Sequence, residues 1–277
     1  MDPEQIENLS SEPAALPSLP ADPQPRSIAP AWHTAVLIAV IVSLSATSAW
    51  RYSTATGKSN LLASYGATGV MELCLLAWVA FGMRIRKVKL RSLLGNLSGG
   101  IRSIAIDLGI AALFWIGSLM VLGTLSLTWL SVDAAIHHKS LLDFAASSAQ
   151  PSSSDHHTMN TLSRLAPSNG EEIAAWILLC LIAGTVEEVV FRGYLQRQFT
   201  HWARGGVAAG VLLSALCFGS AHAYEGARGM FLIAVFGVLF SLLAHFRGNL
   251  RAGMFAHIWH DLIAGLALAL LKSRHLI

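Results

Sequence analysis

Charge is scarce in this chain of 277 residues: Asp, Glu, Lys and Arg make up 13% of it, against about 25% in a soluble globular domain. So few charges cannot build a solvated surface, which excludes an ordinary soluble enzyme. Sixteen acids against nineteen Lys and Arg leave a net charge of +3, too small for a nucleic-acid-binding surface. Cysteine is equally sparse. Cys74, Cys180 and Cys217 all lie in apolar stretches, and they assemble neither a disulfide framework, a CxxC redox pair nor a zinc ribbon. Proline is nearly absent beyond the N-terminus: seven of nine fall within residues 1–30, with five acids and a single arginine, Arg26. Such a segment has little to bury and reads as a disordered tail. It has no basic region leading into an apolar core, so it does not read as a cleaved signal peptide.

What is abundant is apolar sequence, 54% of the chain. A membrane crossing takes about 20 mostly apolar residues, each rising about 1.5 Å. Seven stretches qualify: roughly 32–50, 61–83, 103–130, 171–191, 206–224, 229–246 and 251–271. At hydrocarbon depth each segment must satisfy its own backbone groups, so helices are expected. The expected fold class is therefore all-α: a polytopic membrane protein with about seven (six to eight) transmembrane helices, residues 31–277 forming one helical membrane domain. Trp32, Trp50, Trp78, Trp129, Trp176 and Trp202 lie at or near the span ends, as in interfacial aromatic belts.

Orientation follows from the loops. Residues 84–91 are the most basic run on the chain and are assigned to the cytoplasm. Alternation then places the N-terminal tail inside and the C-terminus outside, and it brings Arg192/Arg197/Arg204 and Arg247/Arg251 to the cytoplasmic side. The Ser-rich loop 131–170, with His137-His138 and His156-His157, falls outside and reads as a solvated loop. The expected location is a cell membrane, crossed several times, with a cytoplasmic N-terminus and the lipid bilayer as a constant partner.

A charge at the bilayer centre costs several kcal/mol, so an intramembrane ionisable residue is a functional-site hypothesis by default. Such residues concentrate in the last third of the chain. The fourth span ends in Glu187-Glu188 and Arg192, the fifth carries Phe218 and His222, and the seventh carries His257, His260 and Asp261. Spans two and three hold Glu72 and Asp107, each alone. Glu188 and Arg192 stand four apart, where a helix lets them neutralise each other. Glu187, about 100° around, is left available for chemistry. Glu187 and His222 are each 17 residues from a turn near Arg204-Gly205, which sets them at similar depth in two antiparallel arms. His257 and Asp261, four apart, face the same way. His260, His33 and His245 read as packed, hydrogen-bonded histidines.

An acid and two imidazoles from three helices support two chemistries. Glu187 and His222 can hold a water and take its proton while His257, with Asp261, donates to the developing oxyanion. Alternatively Glu187, His222 and His257 can ligate a divalent metal such as zinc. Spacing does not separate the two, so the cofactor is open: none, or a metal. HExxH and GxGD are both absent, and no serine stands in a nucleophile motif.

Taken together, Glu187-Glu188-x-x-x-Arg192, Phe218-x-x-x-His222 and His257-x-x-x-Asp261 resemble the three motifs of the CPBP (CAAX protease and bacteriocin-processing, or Abi) intramembrane proteases. Type II CAAX prenyl proteases are the best-known members. The resemblance covers about 100 residues, roughly 171–271, as the catalytic core. It implies an all-helical membrane endopeptidase acting on a membrane-associated protein or peptide. Glu187 and His222 match its water-activating positions, His257 and Asp261 its transition-state-stabilising ones, and Glu188 and Arg192 its supporting pair. The prenyl proteases resemble each other in having Asn where Asp261 stands. A carboxylate donates to an oxyanion only when protonated, which leaves Asp261 the alternative role of orienting His257. Two other readings of the same residues are a proton-coupled transporter, since such groups also build ion pathways, and a non-catalytic membrane scaffold of the same fold.

Overall fold

The computed structural model describes residues 27–54, 60–140, 142, 143, 146 and 161–274; residues 1–26 of the expected tail and His156-His157 lie outside the described residues. Helices account for 86% of the described residues, and no strand occurs among them. Helix α1 is Ala31–Thr54, α2 is Leu61–Ile85 and α3 is Gly100–Ile136. Helix α4, Gly170–Glu187, passes unbroken through a π-helical segment, Glu188–Leu195, into α5, Gln196–Trp202. Helices α6 (Val207–Ser220), α7 (Gly226–Arg247) and α8 (Arg251–Ser273) complete the order. Helix starts follow local chemistry: the side chains of Asn60 and Asn169 accept from the Ala63 and Glu172 amides, each satisfying an orphan donor of the first turn. The α5–α6 turn falls at Arg204 and Gly205, both at positive φ.

Six helical rods are long and apolar enough to cross a membrane, with α4 and α5 counted as one. The chain is a multi-pass membrane protein. Helix α6 departs from the expected span over 206–224. Its 14 residues rise only about 21 Å, short of the ~30 Å hydrocarbon core. The helix stops at Ser220 and the chain doubles back through a 3₁₀ turn, Ala223–Glu225, into α7. The two arms meet through glycine: a Cβ on Gly219 would lie 2.6 Å from the Met230 carbonyl oxygen.

Two ends of the bundle are defined by contacts. At one, near the basic run, Arg197 donates to the Ser92 and Leu93 carbonyls and Gly95 bridges to Asn249. Residues 27–30 join this end, because Gln198 accepts from the Ile28 amide and donates to the Ala29 carbonyl. At the other, Tyr65 donates to the Leu165 carbonyl and Lys272 to that of Ala166. The chain thus enters the bundle at the basic end and α8 finishes at the opposite one.

The helices are apolar on every side, so buried faces are marked by polar residues. Ile101, Leu113, Met120 and Leu127 of α3 point outward and are mostly exposed, a surface that suits lipid and not water. Inside, His33 is packed as expected: its Nε2–H donates to the Trp78 carbonyl and its Nδ1 accepts from the Tyr194 hydroxyl. His245, by contrast, is exposed at the end of α7. Asp107 is not alone. Arg247 Nη2 at 2.6 Å and Arg251 Nε at 2.5 Å clamp it, pinning α3 to the α7–α8 turn.

Candidate active site

Regular α-helix in α4 ends at Glu187, and all eight residues of the π segment that follows are buried. A π turn bonds i to i+5 and holds an extra residue, so Glu187 and Glu188 sit on differently wound helix. Glu188 is fully buried; its Oε1 lies 3.0 Å from Arg192 Nη1 and 3.1 Å from His257 Nδ1. The Glu188–Arg192 pair expected from the spacing is therefore present, as an ion pair. The Arg192 guanidinium lies over the Phe218 and Phe240 rings, 4.1 Å and 4.9 Å from their centroids. Ring faces take the place of water around the buried cation. Helix α8 reaches Glu188 because residue 253 is glycine: a Cβ there would fall 2.8 Å from Glu188 Oε2.

His257 is buried and bridges three carboxylates. Its Nδ1 is engaged by Glu188, which fixes the ring and leaves Nε2 between Glu187 Oε2 at 3.6 Å and Asp261 Oδ2 at 3.8 Å. Both distances exceed a direct hydrogen bond. Gly193 packs on Leu93 and Leu250 at the basic end. Six or seven residues of helix then set Glu187 and His257 about 10 Å inside it.

The expectation that His222 rides on the fifth span is corrected. His222 lies beyond the end of α6, immediately before the 3₁₀ turn, because the backbone turns at Ala221 to form the hairpin. It remains in the same site: Nδ1–H donates to the Phe218 carbonyl at 2.9 Å, so Nε2 is its hydrogen-bond acceptor. Phe218 makes edge contacts with the His222 ring at 5.0 Å and the His257 ring at 5.8 Å. The phenylalanine of this motif thus touches both imidazoles and covers Arg192.

These groups open on a cavity of about 360 Å³ whose wall includes Glu187, His222, His257 and Asp261. The same wall includes residues that no sequence motif joins to it: Glu72 of α2, and Tyr224 and Glu225 of the hairpin tip. No spacing rule brings α2 to the last third of the chain. The signal was Glu72 itself, an acid in an apolar span. His260 also faces the cavity, packed on Phe236 at 4.8 Å. Among the described residues no three His, Cys, Asp or Glu side chains converge closely enough to hold a metal ion. The set Glu187, His222 and His257 does not fit a metal as the side chains stand.

Residues 169–263 match the family model for type II CAAX prenyl endopeptidase, Rce1-like. Neither a curated protein nor a solved structure matches the chain. The matched segment contains both carboxylates of the π junction, Arg192, Phe218, His222, His257 and Asp261. Over residues 169–263 of the 277 the chain is thus similar to the type II CAAX prenyl endopeptidases, Rce1-like, a family of proteases.

Proposed function

We propose that this protein is an intramembrane endopeptidase that hydrolyses a peptide bond of a membrane-associated protein or peptide, with Glu187 and His222 activating water. His222 Nε2, the acceptor nitrogen, and the Glu187 carboxylate hold the water and take its proton as the oxygen attacks the carbonyl carbon. The tetrahedral oxyanion receives a hydrogen bond from His257 Nε2–H. His257 donates through both nitrogens at that moment, with Glu188 and Asp261 supplying the surrounding negative charge while Glu187 holds the proton. Glu187 then returns the proton to the departing amine as the C–N bond breaks. Asp261 orients His257. The basic end of the bundle, residues 84–95 with the α5–α6 and α7–α8 turns, faces the cytoplasm of a cell membrane in this reading, since Lys and Arg are retained there.

The observation that carries the reading is the Glu188–His257 contact at 3.1 Å beside a Glu187 carboxylate 3.6 Å from the other ring nitrogen. One acid positions the imidazole and the next one is left for substrate. A metal-free reaction is preferred because the three donors do not converge on a common point. The test is cleavage of membrane-tethered peptides by the protein in proteoliposomes, comparing wild type with Glu187→Ala and His222→Ala. Loss of product in both variants, with unchanged thermal unfolding, supports the proposal. Cleavage retained by either variant contradicts it, and solute flux with no peptide product indicates a transporter instead.

A further inference from the structure

Of the three buried carboxylates among the described residues of the membrane spans, two have a counter-charge within ion-pair distance and one does not. Asp107 has Arg247 and Arg251, and Glu188 has Arg192 and His257. Glu72 is 5% exposed. Among the described residues no Lys, Arg or His lies within ion-pair distance of it, and its Oε2 has no hydrogen-bond donor. An acid in such a wall costs free energy unless something pairs with it. Glu72 lines the same cavity as Glu187 and His257, so the pairing group can come from whatever enters that cavity.

Position along the cavity follows from helix packing. Tyr65 of α2 packs on Trp176 of α4 at 5.4 Å, and Gly69 faces Leu179 and Ile182. The two helices therefore run parallel, and Glu72 stands opposite residue 183 or so, about one turn (5.4 Å) before Glu187. An extended peptide advances about 3.3 Å per residue. A substrate bond held at Glu187 and His257 thus places a side chain one or two residues away beside Glu72. The rest of the lining agrees in sign: four acids, Glu72, Glu187, Glu225 and Asp261, and no Lys or Arg.

We infer that Glu72 is a specificity-determining residue that pairs with a basic side chain of the substrate one or two residues from the scissile bond. This rests on the protease reading and names its substrate class: segments that bring Lys or Arg into the membrane close to the cleavage point. The pairing neutralises two charges at once, each of which is costly alone at that depth.

The experiment is digestion of a membrane-tethered peptide library, randomised around the cleaved region, by the full chain in proteoliposomes, with cleavage sites read by mass spectrometry. Wild type is expected to enrich Lys or Arg about tenfold at one position within two residues of the cut. Glu72→Gln, which keeps the shape, is expected to cut with that enrichment reduced to near parity, and Glu72→Lys to favour Asp or Glu at the same position. Cleavage by wild type without basic enrichment overturns the inference. So does enrichment unchanged in Glu72→Gln, or complete loss of cleavage in a Glu72→Gln protein that unfolds at the wild-type temperature. Wild type that cuts no member of the library removes the protease reading itself, and this inference with it.

Discussion

Glu188 Oε1 lies 3.1 Å from His257 Nδ1, joining two helices across 69 residues of sequence. The same oxygen holds Arg192 at 3.0 Å, so one buried carboxylate fixes both the imidazole and the guanidinium. Glu188→Gln preserves the volume and removes the charge. It is expected to lower kcat by about 10- to 100-fold with KM little changed, the usual cost of losing a group that orients a reactive one. Steady-state cleavage in proteoliposomes measures this, and unaltered kcat would show that Glu188 serves packing alone.

The approach of α8 to that carboxylate depends on a missing side chain. Gly253→Ala puts a Cβ 2.8 Å from Glu188 Oε2, and overpacking of this kind costs about 1–3 kcal/mol. Thermal unfolding in detergent should fall, and cleavage should fall further than stability alone explains, because the shift is transmitted to His257. Gly193→Ala meets Leu93 and Leu250 instead and serves as a packing control away from the carboxylates.

Much of the architecture is legible in the sequence, because hydrocarbon demands long apolar runs and tolerates few charges. Six of the seven apolar stretches are spanning helices, and the seventh, 206–224, is a shorter one that ends at Ser220; Glu188 with Arg192 and His257 with Asp261 face each other at helical spacing. Three things were not legible. The apolar character of these helices is nearly uniform around the axis, so hydropathy does not say which face turns inward. Glu72 reaches the cavity only through the parallel packing of α2 on α4, and Asp107 finds its arginines only through the docking of α3. The π segment and the early end of α6 are tertiary outcomes: Ser220-Ala221 carries no helix-stop residue, yet the chain turns there.

Asp107 is predicted to act on stability and not on chemistry. Asp107→Asn leaves Arg247 and Arg251 without their shared acid. Breaking a buried pair costs about 3–5 kcal/mol, and here less, since the Arg247 side chain is 31% exposed. The variant should unfold at lower temperature while its folded fraction cleaves at the wild-type rate. A matching loss of kcat per folded molecule would tie this clamp to the active site.

Chelation separates the two hydrolytic mechanisms. Because Glu187, His222 and His257 do not converge as metal ligands, prolonged treatment with a strong chelator is expected to leave cleavage largely intact. Complete loss, restored by added zinc, would assign these three residues to a metal and retire the general-base role of Glu187.

What Glu187 does to water is read directly by isotope labelling. Under single-turnover conditions in ¹⁸O-water, wild-type protein should place the label in the newly formed C-terminal carboxylate of the peptide and none in its own Glu187. Label recovered on Glu187, or product formed at the wild-type rate by Glu187→Gln, would contradict a carboxylate acting as general base.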